Sequence, residues 1–233
     1  MTFKNKTVII TGATGSLGET VVRHFIDKGA RVAAIGRNLS KLESLKQKFN
    51  GGNGPDIFVA DITWEEDVFA VFNSIKQKFK QIDILVNIAG GFAGGKSITD
   101  TGLEMWEKML NLNLTSVFLC CRQAMSYMAD QRHGKIITIT AMAALEPKPN
   151  RAAYAVSKAG VVALTQALAV EGKPVNVQVN TIAPGIILTE ANKTDMPDAD
   201  FSKWVTTDRL AETILFLCSP EADDITGTII RMP

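Results

Sequence analysis

The chain has 233 residues, with 25 Lys and Arg against 24 Asp and Glu, and 46% of its residues are hydrophobic. A net charge of +1 argues against a nucleic-acid partner or a polybasic membrane surface, since both require a basic excess. The three cysteines, Cys120, Cys121 and Cys218, fit neither a disulfide framework nor a zinc-binding spacing, and no run of 18 apolar residues is present. We therefore expect a soluble cytoplasmic protein that uses no metal and no membrane.

Short apolar runs alternate along the chain with longer amphipathic segments. Most runs are continuously apolar, as in parallel strands that are covered on both faces. They predict seven strands, at Thr7–Thr11, Arg31–Ile35, Asp56–Ala60, Ile82–Asn87, Lys135–Thr140, Asn176–Ile182 and Thr228–Met232. Helices are predicted between the strands, from Leu17 to a C-terminal glycine at Gly29, and at Leu39–Phe49, Trp64–Phe79, Leu103–Asp130, Ala152–Glu171 and Thr207–Leu217.

This alternation of strands and helices predicts the fold class. A β-α-β order with right-handed crossovers gives an α/β protein with a doubly wound parallel sheet of about seven strands and helices on both faces. No linker, repeat or low-complexity segment divides the chain, and the glycine-rich stretch at Gly51–Pro55 is predicted to be a loop. We therefore expect one Rossmann-type domain spanning residues 1–233.

A glycine-rich turn follows the first predicted strand. Gly12, Gly15 and Gly18 recur every three residues where a helix opens, a spacing that differs from the common G-x-G-x-x-G pattern. Glycine permits a tight turn and close approach of a pyrophosphate, whose charge is stabilised by the free N–H groups of the helix. The position of this turn predicts a phosphate-binding role.

A second glycine-rich loop, Gly90–Ser97, formally matches the pattern of a nucleotide-binding P-loop. A P-loop requires a helix that begins at its Lys-Ser pair. Here Thr99–Gly102 interrupts the chain before the next periodic segment begins at Leu103. We therefore do not expect a nucleoside triphosphate to bind at this loop.

Tyr154 and Lys158 lie four residues apart and share one side of a predicted helix. A phenol with a pKa of about 10 is a poor base at pH 7, and a nearby cation favours its ionised form. Such a tyrosine can donate a proton to a developing alkoxide or remove one from an alcohol. This spacing is also common on helix surfaces, so by itself it assigns no function.

Together, these motifs resemble the short-chain dehydrogenase/reductase family over essentially the whole chain. The resemblance implies a Rossmann domain that binds NAD(H) or NADP(H) and moves a hydride between the nicotinamide and a carbonyl or alcohol carbon. It implies that Tyr154 is the general acid/base and that Lys158 holds the nicotinamide ribose and lowers the pKa of the phenol. It also implies that Asn113, in the segment Asn111–Leu114, supports a water molecule leading to Lys158.

The resemblance further implies a set of cofactor contacts. Asp61 and Ile62 would contact adenine, and Asn87, Ala89 and Gly90 would line the adenosine side. The carboxamide and pyrophosphate would be seated by Pro184, Gly185, Ile187 and Thr189. The set is completed by Lys158 and by the residues of the glycine turn, Gly12, Gly15, Ser16, Leu17 and Gly18.

Two segments, residues 89–95 and 196–204, resemble a narrower branch of the family, the dihydropteridine reductases. Phe92 stands where that branch has a tryptophan. The segment from Thr189 to Thr207 is shorter than the substrate lid of typical ketone and acyl reductases, which suits a flat bicyclic substrate. We expect substrate contacts at Phe92, Thr140 and Trp204.

Two positions depart from the usual pattern of the family. Most members have a serine 13 residues before the tyrosine, where this chain has Ala141, and the dihydropteridine reductases also lack that serine. The neighbouring Thr140 should point to the other face of its strand. In addition, Arg231–Pro233 replaces the usual Asp-Gly-Gly ending. The missing hydroxyl argues against ordinary ketone reduction.

Gly36 and Arg37, after the second predicted strand, bear on the choice of dinucleotide. An NAD-selective site would place an acidic residue here, whereas Gly36 leaves space and Arg37 offers a permanently charged donor fork to a 2′-phosphate. We expect NADP(H) to be favoured, with NAD(H) possible.

The predicted helices Leu103–Asp130 and Ala152–Glu171 resemble the pair through which the family dimerises, which implies a homodimer or homotetramer. The leading hypothesis is an NADPH-preferring reductase of quinonoid dihydropteridine or a similar small conjugated substrate. One alternative is a reductase of small carbonyl or 3-oxoacyl substrates. Another is a dinucleotide-binding sensor, against which the retained Tyr154, Lys158 and Asn113 argue, because binding alone needs no proton relay.

Overall fold

The computed structural model describes residues 1–49 and 54–233, which form a seven-stranded parallel sheet flanked by helices. The strands are β1 (Thr7–Thr11), β2 (Arg31–Gly36), β3 (Asp56–Val59), β4 (Ile84–Asn87), β5 (Gly134–Ile139), β6 (Val177–Pro184), β7 (Ile187–Leu188), β8 (Val205–Thr206) and β9 (Ile229–Met232). The order in the large sheet is β3-β2-β1-β4-β5-β6-β9, with every neighbouring pair parallel. The predicted doubly wound α/β fold is confirmed.

Helices cover both faces of the sheet. They are α1 (Ser16–Asp27), α2 (Leu39–Gln47), α3 (Glu65–Phe79), α4 (Leu103–Leu110), α5 (Ser116–Gln131), α6 (Ala152–Gly172), α7 (Glu190–Asp195) and α8 (Thr207–Cys218). Helices α1, α2 and α8 share one apolar cluster with one face, and α3, α5 and α6 share a second cluster with the other. Gly29 follows α1 with φ +85°, which is the glycine ending predicted for this helix.

Burial on both faces explains why the central strands are continuously apolar. In β1, Val8 and Ile10 pack into the cluster of α1 and α8, while Ile9 points into the cluster of α3 and α5. All three side chains are fully buried. Burial of each such side chain contributes about 1.5–3 kcal/mol, so an alternating apolar and polar strand would not be stable at this position.

The structure differs from the predicted elements at two places. The helix predicted at Leu103–Asp130 is divided into α4 and α5 by a π-helical turn at Asn111–Thr115. The segment predicted only as a short lid, Thr189–Thr207, contains α7 and β8, and β8 pairs in a small parallel sheet with β7, which directly precedes the segment. Strands of two residues carry no periodic signal, which is why the sequence did not indicate them. Residues 51–53 of the predicted loop lie outside the described residues.

Helix α6 is the most apolar helix of the described chain. The stretch Ala152–Val175 is long and apolar enough to cross a membrane by length and composition, a test that core helices also pass. In this structure Val161 and Ala169 are buried in the cluster of α3 and α5. Val156 and Val170 remain exposed on the same helix.

A buried carboxylate ties together the strand ends opposite the cleft described below. Asp83 is 3% exposed and accepts hydrogen bonds from the Thr7 amide and from Lys6 Nζ, both at 2.9 Å. His133 Nε2 lies 3.0 Å from the same carboxylate. Burial raises the pKa of Asp83, but the bonds from Thr7, Lys6 and His133 outweigh it and hold the pKa below its ordinary value.

Because the pKa of Asp83 is lowered by folding, its charge stabilises the native state above the pKa of the unfolded chain. That contribution is lost as the pH falls through the lower, native pKa. We expect Asp83→Asn to lower the free energy of unfolding by roughly 1.5–3 kcal/mol at pH 7. Urea unfolding at pH 7, 5 and 3 should show this difference shrinking below about pH 4. As a control, Asp56→Asn removes a more exposed carboxylate that pairs with Lys78, and it should lower the free energy of unfolding by less than about 1 kcal/mol. If Asp83→Asn lowers the free energy of unfolding equally at all three pH values, the lowered pKa of Asp83 would be contradicted.

Candidate active site

A cleft of about 500 Å³ opens at the carboxyl ends of the central strands. The order of the sheet reverses between β1 and β4, and open α/β sheets bind ligands at such a switch point. Many predicted site residues lie in its wall. These are Gly12, Gly15, Ser16, Leu17, Gly18, Arg37, Asp61, Ile62, Ala89, Gly90, Phe92, Thr140, Tyr154, Lys158, Ile187 and Thr189.

The glycine turn at the first end of the cleft is set by backbone contacts. Gly12 has φ +68°, and a Cβ at this position would lie 2.7 Å from the Ala89 amide nitrogen. A Cβ on Gly18 would collide with the carbonyl oxygen of Gly12. Gly15 precedes α1 and provides no side-chain cap for it. The first N–H groups of α1 are therefore available to phosphate oxygens, and the space beside them fits a dinucleotide.

Arg37 and Asp61 line the part of the cleft where the family resemblance places the adenosine of the cofactor. Asp61 Oδ1 accepts hydrogen bonds from the amide and hydroxyl of Thr63, at 3.1 and 2.7 Å. Arg37 Nη1 lies 3.8 Å from Asp61 Oδ2, and its side chain is 69% exposed. The guanidinium is therefore only weakly held and remains accessible to a further anion.

Tyr154 and Lys158 meet at the opposite end of the cleft, one turn apart on α6. Lys158 is buried, and its Nζ donates a hydrogen bond of 2.9 Å to the carbonyl of Ile139 at the end of β5. Burial lowers the pKa of Lys158 to about 8. Burial also raises the pKa of Tyr154, and the nearby charge of Arg151 opposes that rise. Arg151 is thus the cation that opposes this rise, and the pKa of the phenol remains above its ordinary value.

Asn113 is fully buried in the π-helical turn and holds the loop after β4. Its Oδ1 accepts from the Gly91 amide at 2.9 Å, and its Nδ2 donates to the Gly91 carbonyl at 3.0 Å. The same Nδ2 donates to Ser157 Oγ at 3.1 Å. A Cβ on Gly90 would lie 2.9 Å from Asn113 Oδ1 and 3.3 Å from Lys158 Nζ. Gly90 thus keeps open the space on which Asn113 and Lys158 converge.

Ala141 lacks the hydroxyl of the family's usual serine, and the hydroxyl of the neighbouring Thr140 is already hydrogen-bonded. Thr140 lies in the cleft wall, but its Oγ1 donates at 2.7 Å to the main-chain carbonyl of Lys158. The proton of the Thr140 hydroxyl is therefore already used in this bond, while the predicted substrate contact of Thr140 stays a prediction. Ala141 follows in extended backbone and is 8% exposed. Among the family's usual pair of donors, only the phenol of Tyr154 is therefore present.

Four predicted contact residues lie outside the cleft wall. Asn87 is buried below it, where its Nδ2 donates to Thr138 Oγ1 at 3.2 Å. Pro184 ends β6, and the amide of Gly185 is directed away to the carbonyl of Met232 at 2.7 Å. Trp204 is 8% exposed and packs with its ring centroid 4.7 Å from that of Phe201. Asn87, Pro184 and Trp204 are thus buried beside the cleft, and Gly185 is held through its main chain.

Among the polar residues that the sequence did not predict for the site are Asn192 and Ser157. Asn192, on α7, lines the cleft, and its Nδ2 donates to the Ile187 carbonyl at 2.7 Å. Ser157 connects Asn113 to the main chain of Tyr154, to whose carbonyl it donates at 2.7 Å. Ser157 lies between Tyr154 and Lys158 in sequence, so its position was a usable signal. No local pattern marked Asn192.

The loop Gly90–Ser97 does not form a P-loop. No helix begins at its Lys-Ser pair, and α4 starts only at Leu103. The Gly95 amide instead donates to the Asn150 carbonyl at 2.7 Å, which joins this loop to the segment before α6. Phe92, in the same loop, places its ring centroid 5.0 Å from that of Tyr154 at an angle of 83°. The loop therefore forms part of the wall around Tyr154.

Comparison with known proteins agrees with this geometry. Residues 6–200 match the family described as short chain dehydrogenase. The chain is 31% identical over 239 residues to 3-oxoacyl-[acyl-carrier-protein] reductase of Thermotoga maritima, covering 99% of this chain and 97% of that protein. It superposes with a TM-score of 0.94 on a short-chain type dehydrogenase/reductase from Mycobacterium ulcerans, at 26% identity and covering 99% and 89% of the two chains. A solved NADP-bound structure, ElxO, matches with a TM-score of 0.91, 28% identity and coverage of 97% and 96%.

The chain belongs to the short-chain dehydrogenase/reductase family, and it is an NAD(P)-dependent oxidoreductase of that family.

Proposed function

We propose that this protein transfers a hydride from NADPH to a small conjugated or carbonyl acceptor, with Tyr154 as the proton donor. The observation that carries the proposal is the placement of Tyr154 and Lys158 at one end of a cleft whose other end is the glycine turn. A dinucleotide bound along the cleft supplies the hydride. Tyr154 delivers the proton to the reduced acceptor, and Lys158 holds a ribose hydroxyl beside it.

The raised pKa of Tyr154 suits reduction, because the phenol stays protonated and able to donate at neutral pH. Lys158, with a pKa of about 8, gains or loses a proton near the operating pH. Asn113 and Lys158 both approach Gly90, where a Cβ would lie 2.9 Å from Asn113 Oδ1 and 3.3 Å from Lys158 Nζ. As the family resemblance implies, we propose that Asn113 supports a water molecule leading to Lys158.

One feature of the cleft supports NADP(H) over NAD(H). Arg37 has an accessible guanidinium whose ion pair with Asp61 is long, at 3.8 Å. Arginine binds phosphate through two parallel hydrogen bonds, which are stronger than neutral ones. The solved neighbours include both an NADP-bound and an NAD⁺-bound protein, so the preference rests on Arg37. We therefore assign the 2′-phosphate of NADPH to Arg37.

The choice of acceptor rests on Ala141 and Thr140. A ketone oxygen becomes an alkoxide when hydride arrives, and it needs donors placed for that charge. With Ala141 in the chain and the Thr140 hydroxyl bonded to the main chain, one donor remains. A conjugated acceptor such as quinonoid dihydropteridine spreads the charge over its ring, so that one donor suffices. Reduction of small carbonyl or 3-oxoacyl substrates is the competing function, favoured by the similarity to the Thermotoga reductase.

We also propose a homodimer or homotetramer in the cytoplasm, with no nucleic-acid or membrane partner. Phe118 on α5 and Val156 and Val170 on α6 leave apolar side chains exposed on the two helices through which an interface would form. The solution mass from analytical ultracentrifugation distinguishes monomer, dimer and tetramer.

We expect Tyr154→Phe to lower kcat by about 10²–10⁴-fold, because it removes the proton donor. The Kd of NADPH should change little in this variant, whereas Lys158→Ala should weaken both turnover and NADPH binding. NADPH oxidation with quinonoid dihydropteridine and NADPH fluorescence titration measure the two effects. Undiminished turnover of Tyr154→Phe would place the chemistry on other residues.

We expect Arg37→Asp to weaken NADPH binding by about tenfold to a hundredfold and to improve NADH binding, since it exchanges a phosphate donor for a carboxylate. Fluorescence titration with both dinucleotides checks this shift. Arg23→Asp is a suitable control, because Arg23 is exposed on α1 and pairs with Asp208 away from the cleft wall. Equal or tighter binding of NADH by the unmodified protein would argue against the assignment.

We expect the unmodified protein to reduce simple ketones poorly and conjugated acceptors well. One positioned donor contributes roughly 10²–10³-fold to the rate of ketone reduction. Ala141→Ser should restore part of that factor for ketones and should leave the rate with conjugated acceptors nearly unchanged. NADPH oxidation with quinonoid dihydropteridine, a quinone, an acetoacetyl thioester and a simple ketone gives the comparison. Ketone reduction that is already fast and is not increased by Ala141→Ser would favour the carbonyl reductase.

A further inference from the structure

Arg151 stands next to the proton donor, and its charge effect on the phenol pKa does not account for the position of its guanidinium. Arg151 immediately precedes α6, three residues before Tyr154. Its Cζ lies 5.4 Å from the ring centroid of Phe92, and that ring in turn meets the ring of Tyr154 edge to face. Arg151, Phe92 and Tyr154 thus form a continuous row of side chains at the substrate end of the cleft.

The packing of the Gly90–Ser97 loop fixes this row. A Cβ on Gly94 would lie 2.9 Å from the tip of the Phe92 ring and 3.3 Å from Arg151 Cβ. The absence of a side chain at Gly94 therefore lets the loop approach the segment before α6. A hydrogen bond from the Gly95 amide to the Asn150 carbonyl also keeps the loop against this segment. These contacts place the Phe92 ring and the backbone of Arg151 side by side, and the guanidinium lies over that ring.

The guanidinium of Arg151 is available to a ligand. Within residues 1–49 and 54–233, it forms neither an ion pair nor a hydrogen bond, and its contact is with the face of Phe92. Phe92 itself is 61% exposed. Two of the three side chains in the row, Phe92 and Tyr154, line the cleft. The cation therefore stands at the rim of the cleft, behind an exposed aromatic surface.

The charges around the cleft favour an anion at this end. Asp61 is the one carboxylate among the described residues that line the cleft, and it lies at the adenosine end beside Arg37. The substrate end has Lys158 in its wall and Arg151 at its rim. A negatively charged substrate would therefore meet attraction and no opposing carboxylate in the wall.

We propose that Arg151 selects acceptors that carry an anionic group, a carboxylate or a phosphate, beside the conjugated system that is reduced. This inference rests on the proposed function and adds the charge of the substrate to it. The planar fork of arginine binds either group through two hydrogen bonds. The flat part of the acceptor lies against Phe92, which places the reacting atom toward Tyr154.

The test uses three aromatic aldehydes that differ in one group: 4-formylbenzoate, its neutral methyl ester and 4-formylphenyl phosphate. NADPH oxidation gives kcat and KM for each with the unmodified protein, Arg151→Gln, Arg151→Lys and the control Lys148→Gln, whose side chain is exposed in the same segment. We expect 4-formylbenzoate to be preferred over its ester. In Arg151→Gln that preference should fall by about tenfold to a hundredfold, through KM.

Arg151→Lys should keep part of the preference, because the charge remains, and Lys148→Gln should keep all of it. The phosphate aldehyde shows which anion is favoured: a larger loss for it in Arg151→Gln supports phosphate recognition, and a smaller loss supports carboxylate recognition. Equal preference in the unmodified protein and Arg151→Gln would overturn the proposal, whichever aldehyde is reduced fastest.

A binding measurement separates this inference from the proposed function. Calorimetric titration of 4-formylbenzoate and its ester into the protein with NADP⁺ requires no turnover. Tighter binding of the carboxylate that is lost in Arg151→Gln supports the role of Arg151 even where hydride transfer is absent. Failure to bind either dinucleotide or to reduce any acceptor would refute the proposed function. Carboxylate binding that is unchanged in Arg151→Gln would refute only the role of Arg151.

Discussion

The close approach of the turn after β1 to the end of β4 is the contact on which the site depends. Gly12 lies so near the Ala89 amide that a Cβ would stand 2.7 Å from it, and Gly18 lies directly against the Gly12 carbonyl. These contacts bring the start of α1 to the point where the order of the sheet reverses. A side chain at either glycine would push the turn away from β4, and the helix N–H groups would no longer face the cleft.

The opposite end of the cleft depends on buried polar groups that are held by backbone partners. Lys158 donates to the Ile139 carbonyl, Asn113 bonds to Gly91, and Thr140 donates to the carbonyl of Lys158. A buried polar group without a partner is costly, so these bonds allow little movement of the helix relative to the sheet. The same burial lowers the pKa of Lys158 to about 8. Burial therefore both restricts the position of Lys158 and lowers its pKa.

The two parts of the cleft are built from different groups. Backbone N–H groups and glycines form the turn before α1, and in the same cleft the exposed guanidinium of Arg37 lies 3.8 Å from Asp61. Side chains form the part around Tyr154, where Phe92 and Arg151 are carried by a loop and by the segment before α6.

The sequence by itself determined the seven large-sheet strands, the glycine turn and the pairing of Tyr154 with Lys158. Each depends on periodicity or spacing within a short segment, which burial on two faces or one helical turn dictates directly. Only the tertiary structure decided that Trp204 packs beneath the surface, that the Thr140 hydroxyl is bonded to the main chain, and that Arg151 meets Phe92. Those outcomes depend on how loops distant in sequence pack together, and no local pattern records a contact between them.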